Sequence, residues 1–264
     1  MPYASNPMDG VCTYFEDAGG SAPPVILYAG LMDPLEWSQA SGLARALGDE
    51  FRLIYADHRG HGRSDKPHDA GAHALRTRVA DAVAVLDALD IERAHFIGFS
   101  WGARLGFATG EHARQRVSSL VLCGNQPYAW DSNWNFVPML TSALAHAKQV
   151  GMAGLVETVE SALGETFSAQ ERKWMLANDP DALDAAWRSA LDEGAISQNL
   201  RKWRVPCLIY AGTEDEMHDN AKRAAGEIPG AVWLPLAGHT HLSAAVEVDE
   251  VLPRVLDLFH STAV

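Results

Sequence analysis

The sequence predicts an α/β protein: a doubly wound, mostly parallel sheet carrying an inserted helical cap. Three observations lead there. Short apolar runs alternate with segments of helical periodicity up to about residue 127. From about residue 128 to 200 no strand pattern appears, and helical segments follow one another. The alternation then resumes. The expected organisation is a core built from residues 1–127 and 201–264, with the cap at 128–200.

Each element has its own signal. "MDGVCTYFEDAGG" reads as a strand preceded by an Asp9-Gly10 hairpin turn. "PPVILYAG" is a continuous apolar run, as expected of a strand buried on both faces. "LEWSQASGLARAL" has helical spacing, with Leu35, Leu43 and Leu47 among its apolar positions. "FRLIYADHRGHGRSD" is a strand entering a glycine-rich loop. "RTRVADAVAVLDALD" puts Val79, Val83, Leu86 and Leu89 on one side of a helix. Strand "AHFIGFS", helix "WGARLGFATGEHA" and strand "VSSLVLCG" complete the first part. "VPMLTSALAHAKQV", "MAGLVETVESAL", "SAQERKWMLAN" and "PDALDAAWRSALDEG" are the helices of the insert, the last with Pro180 in its first turn. Strand "VPCLIYAG", helix "NAKRAAGEI", strand "AVWLPLAG" and a helix ending near "VLPRVLDLFH" close the chain.

Composition narrows the function. The 264 residues are 47% hydrophobic and 21% charged, which suits a soluble domain with a sizeable core. The formal net charge is -13, and no long Lys/Arg cluster breaks the acidity. Nucleic-acid binding requires a basic stripe that displaces counterions, and anionic membranes also select basic surfaces, so neither partner is expected. Cys12, Cys123 and Cys207 are odd in number and lie in or beside apolar runs, as reduced core residues do. The first ten residues, "MPYASNPMDG", carry no basic and apolar leader pattern, and no run of about 18 apolar residues occurs. The expectation is a cytoplasmic protein.

The chemistry centres on Gly98-Phe99-Ser100-Trp101-Gly102, a G-x-S-x-G between a strand and a helix. A serine on such a turn presents its hydroxyl at the carboxyl edge of the sheet, beside the N–H groups of a helix start. A hydroxyl needs a positioned base, usually a histidine oriented by a carboxylate. Two later strand ends offer these groups. "CLIYAGTED" ends on Glu214 and Asp215, and "VWLPLAGHTH" ends on His239 and His241. His58, His61, His68 and His73 lack a zinc-ligand signature, so neither metal nor cofactor is expected. Asp57 and Arg59 of "DHRGHGRSD" are expected to brace that loop, and Arg104 to form an internal ion pair.

The strand-end order Ser, acid, His resembles the α/β-hydrolase fold family over nearly the whole chain outside the insert. The resemblance implies residue roles. In Gly212-Thr213-Glu214-Asp215, the family's G-x-x-D pattern makes Asp215 the acid. Gly238-His239 matches the family's G-H pair and makes His239 the base, leaving His241 as a neighbour touching substrate. The oxyanion donors would be the backbone N–H groups of Trp101 and Leu31, with Met32 the second choice to Leu31. The loop departs from the family pattern in having Ala29 where histidine is common. Met32, Trp130, Trp134 and Phe136 are expected to line the substrate pocket.

The expected activity is cofactor-free hydrolysis of a small or medium, largely apolar carboxylic ester through an acyl-enzyme. Lactone, thioester or carbon–carbon bond hydrolysis would use the same triad. A receptor or binding module for small molecules, built on a hydrolase scaffold, is the alternative of another class. The oligomeric state is not specified by the sequence.

Overall fold

The computed structural model describes residues 2–163 and 166–262. Its sheet has eight strands in the order β1-β2-β4-β3-β5-β6-β7-β8. β1 (Tyr3–Ser5) and β2 (Cys12–Asp17) form the predicted hairpin, and β2 also runs antiparallel to β4 (Arg52–Ala56). From β4 onward every pairing is parallel, through β3 (Pro24–Tyr28), β5 (Ala94–Phe99), β6 (Val117–Cys123), β7 (Cys207–Gly212) and β8 (Val232–Leu236). β5, β6 and β7 are buried along their whole length, which explains their unbroken apolar character. β8 closes the sheet as a more exposed strand, and Pro235 is tolerated there because an edge strand can lose a ladder donor.

Side-chain alternation divides the core in two. Ile26, Tyr28, Phe96, Leu120, Leu122 and Ile209 point to one face. That face is covered by α3 (Leu75–Ala88), α4 (Trp101–His112) and α9 (His218–Glu227). Val25, Leu27, Ile97, Phe99, Val121 and Leu208 point to the other. It is covered by α2 (Gly42–Leu47), α10 (His241–Val246) and α11 (Val251–His260).

One predicted helix is divided. "LEWSQASGLARAL" forms α1 (Leu35–Ala40) and α2, because Ser41 is extended at ψ 146° and its hydroxyl accepts the Ala44 N–H. The serine side chain competes with the helical ladder and starts a new helix.

Between β6 and β7 lie α5 (Phe136–Val150), α6 (Met152–Leu163), α7 (Ala169–Leu176) and α8 (Pro180–Asp192). They share a third apolar cluster, with Leu140, Leu144, Leu155, Leu183 and Trp187 buried in it. Local chemistry sets the starts of two of these helices. Ser168 and Glu171 form a reciprocal capping box on α7, and Asp179 caps α8 ahead of Pro180. Among the described residues, no helix is long and apolar enough to cross a membrane.

Candidate active site

Parallel strands bring their carboxyl ends to one edge, and strand register decides which loops meet there. Phe99 pairs with Cys123, Cys123 with Tyr210, and Gly212 with Leu236. The residues that follow these strands therefore converge: Ser100, Gly124, Asp215 and the loop leading into α10.

Ser100 sits on a sharp turn with φ 50° and ψ -108°, a left-handed position for a residue with a Cβ. Its two glycines are steric necessities. A Cβ on Gly98 would stand 2.3 Å from the Gly102 carbonyl oxygen, and one on Gly102 would stand 2.2 Å from that of Tyr28. The turn is fixed by the Ser100 N–H donating to the Cys123 carbonyl (2.8 Å) and by Asn125 Nδ2 donating to the Ser100 carbonyl (2.9 Å).

The partner of Ser100 is His241. Its Nε2 lies 3.0 Å from Ser100 Oγ, and its Nδ1 lies 2.7 Å from Asp215 Oδ2. An ionised carboxylate only accepts, so Nδ1 donates to Asp215 and Nε2 is left to accept from the serine hydroxyl. Asp215 is held in turn by the Met217 N–H, which donates to Oδ1 at 2.9 Å.

This corrects the expectation for His239. Its backbone is committed to the loop after β7: the Glu214 N–H donates to the His239 carbonyl at 3.0 Å. Its Nε2 faces Glu247 at 3.9 Å and reaches neither Ser100 nor Asp215. Thr240 is the N-cap of α10, its hydroxyl accepting the Ser243 N–H, so the helix begins at His241 and carries that ring to the site. The G-H pair marks the turn. The capping pair Thr240 and Ser243 signals in the sequence that a helix starts at His241, without stating which histidine meets Ser100.

Gly124, which sequence reasoning did not single out, has φ 65° and makes room for the pair. A Cβ there would be 3.0 Å from His241 Cε1 and 3.3 Å from Asp215 Oδ2.

The loop after β3 approaches from the other side. Ala29 replaces the family's usual histidine, and its carbonyl accepts from the Gly102 N–H at 3.0 Å and from His58 Nε2 at 3.0 Å. The latter contact requires the Nε2–H tautomer of a buried His58, and burial pushes the basicity of that ring well down. Met32 follows with φ 72°, and Asn178 Nδ2, beyond the end of α7, donates to its carbonyl at 2.8 Å. Asn178 thus ties the insert to this loop, a link without any sequence signal.

These elements enclose a cavity of about 700 Å³ lined by Ser100, Asp215 and His241. Leu31, Met32, Trp130 and Phe136 line it too, as does His241 in a different capacity from the one expected. Trp134 does not. It packs edge-on against Trp130, with ring centroids 6.1 Å apart, and supports that wall from behind the lining residue. Trp101 is the first residue of α4, and its ring is buried against the Arg78 guanidinium at 4.3 Å.

The remaining polar groups singled out in the sequence have partners elsewhere. Asp57 accepts the Leu35 and Arg63 N–H groups at 2.7 and 2.8 Å. Arg59 pairs with Asp81 and Asp9, and Arg104 approaches Glu193 at 3.5 Å. Among the described residues, no group of three or more His, Cys, Asp or Glu side chains is placed to hold a metal ion.

Comparison with known proteins agrees with this architecture. The family model described as alpha/beta hydrolase fold matches residues 23–233. A 3-oxoadipate enol-lactonase from Acinetobacter baylyi is 30% identical over 181 residues, a stretch covering 64% of each chain. A putative carbamate hydrolase from a Caulobacter species is 27% identical over 92% of this chain and 94% of its own. The crystal structure of a hydrolase from Pseudomonas aeruginosa superposes with a TM-score of 0.81 at 25% identity, covering 97% of both chains.

Proposed function

The chain belongs to the α/β-hydrolase fold family, and from that premise we propose that it is a serine hydrolase cleaving small or medium, largely apolar carboxylic esters. The observation that carries this reading is the continuous relay Ser100 Oγ, His241 Nε2, His241 Nδ1, Asp215 Oδ2, opening on a cavity walled mainly by aromatic and aliphatic side chains.

In this mechanism Ser100 Oγ attacks the ester carbonyl carbon and its proton passes to His241 Nε2. The carbonyl π electrons move to oxygen, and the oxyanion is held by the N–H groups of Trp101 and Leu31. As the oxyanion collapses, the bond to the alkoxy oxygen breaks, and that oxygen leaves with the proton from Nε2. Water then attacks the acyl-enzyme, giving its proton to Nε2. The Ser100–acyl bond breaks, and Oγ takes the proton back. Asp215 keeps Nδ1 protonated and stabilises the imidazolium. In this reading residues 128–200 act as a cap, whose rings limit the size of the acyl or alcohol group.

A cyclic ester would follow the same steps, with the alcohol remaining tethered to the acyl group. The similarity to an enol-lactonase favours including lactones in the substrate class.

The test is a nitrophenyl butyrate assay together with fluorophosphonate labelling. Turnover, covalent modification at Ser100 and loss of both in Ser100→Ala are expected. No turnover and no labelling of the folded protein would point to a binding module instead.

A further inference from the structure

The cavity's charge is one-sided. Asp33, Glu171, Glu214 and Glu216 contribute to its wall beyond Asp215, and its described lining contains no Lys or Arg. Aromatic rings supply much of the rest: Trp37, Phe99, Trp130 and Phe136. A ring face attracts cations, and carboxylates attract them more strongly, so the two kinds of wall favour the same ligand chemistry.

Asp33 is the acid that the backbone itself aims inward. Met32, at φ 72°, turns the loop, and the Asp33 N–H donates to the Gly30 carbonyl at 3.3 Å. The carboxyl folds back over Gly30, where a Cβ would stand 2.8 Å from Asp33 Oδ2 and 3.2 Å from Phe99. Gly30 is therefore required for the position of Asp33. No cationic side chain pairs with this carboxyl among the described residues. Its charged or titratable surroundings are Glu171 on α7 and His241 on α10.

We infer that Asp33 is a specificity-determining residue that selects substrates carrying an organic ammonium group and rejects those carrying a carboxylate. The inference rests on the hydrolase reading for the word substrate. The charge preference itself is a property of the cavity. An ammonium group placed between Asp33 and the aromatic wall would supply the positive charge that no described side chain gives this carboxylate, whereas a carboxylate there would face like charge with no counterion. The overall charge of -13 also raises the local concentration of cations.

Burial lifts the Asp33 carboxyl to about 7, with the Glu171 carboxylate adding to the rise. Its preference for cations should therefore strengthen between pH 6 and pH 8.

The experiment compares phenyltrimethylammonium and benzoate as competitive inhibitors of nitrophenyl butyrate hydrolysis at pH 8 and about 0.15 M salt, where surface charges are screened. The cation should bind at least about tenfold more tightly, and Asp33→Asn should reduce that ratio about tenfold. Glu171→Gln keeps the capping box and should reduce it by a smaller factor. It decides the matter if Asp33→Asn fails to fold. Equal inhibition by the two ions, or a ratio unmoved by these variants, overturns the inference. The same ratio can be read from thermal shifts, so failure of the hydrolase reading, seen as absent labelling at Ser100, remains a separate outcome.

Discussion

His241 Nδ1 lies 2.7 Å from Asp215 Oδ2, although the two are 26 positions apart along the chain. The whole of α9 and β8 stands between them in sequence. The contact separates two histidines that are indistinguishable by composition. His241→Ala should lower kcat by about 10³-fold or more, because the serine loses its base. His239→Ala should leave kcat/KM within a few-fold of the parent. Steady-state kinetics on a nitrophenyl ester checks both, and the reverse ranking would refute the assignment.

Gly124→Ala is expected to damage catalysis more than folding. The new Cβ would press on His241 Cε1 at 3.0 Å, and a left-handed residue costs about 1–2 kcal/mol. Small displacements of a base are expensive, so kcat should fall about 10²-fold. Tm should drop by only a few degrees. The variant is measured by kinetics beside thermal melting.

Asp33→Asn should stabilise the protein above neutrality. The folded carboxyl is raised to about 7 by burial, so the folded state holds a proton that the unfolded chain has already released. Stability is therefore lost as pH rises from about 4 through 7, and an amide removes that loss. A gain on the order of 1–2 kcal/mol at pH 8, shrinking by pH 5, is expected in urea titrations.

Buried histidines act in the opposite direction. Burial lowers His61 to about 3 and His73 and His95 to about 4, and holds His58 well below its ordinary value. Below the ordinary value of about 6.5 the unfolded chain takes up protons that these rings refuse. Stability is thus present above pH 6.5 and lost as pH falls toward 4. Asp33 and Asp57, raised to about 7 and about 6, offset part of this. A net loss on the order of 1–2 kcal/mol per pH unit near pH 5 is expected. Chemical denaturation at pH 7 and pH 5 measures it, and an unchanged midpoint would contradict it.

Glu193 is the carboxylate facing two buried guanidinium groups, Arg78 at 3.3 Å and Arg104 at 3.5 Å. Glu193→Ala would leave both without it, and should cost about 3–5 kcal/mol. A large fall in Tm, with residual activity in the fraction still folded, is the expected result.

Most of what depends on neighbours along the chain was legible without the fold. Apolar runs of five to seven residues announced β3 to β7, and helical periodicity announced α5 to α8, because each pattern reports how one short segment meets a core. The strand–serine–helix order located Ser100 for the same reason, since its glycines clear backbone only a few residues away or on an adjacent strand. Ser41 escaped that reading, because a capping hydroxyl looks like any other polar residue inside a periodic stretch. The choice between His239 and His241 rests on the packed fold. A local G-H signature cannot state where α10 begins relative to Asp215 on another strand. Nor could sequence order reveal that Asn178 holds the Met32 carbonyl, that Trp134 stands behind Trp130, or that Asp33 folds over Gly30 into the cavity. Those outcomes depend on register and packing between distant segments, where the closest approach of two side chains is set by the sheet and not by the chain that connects them.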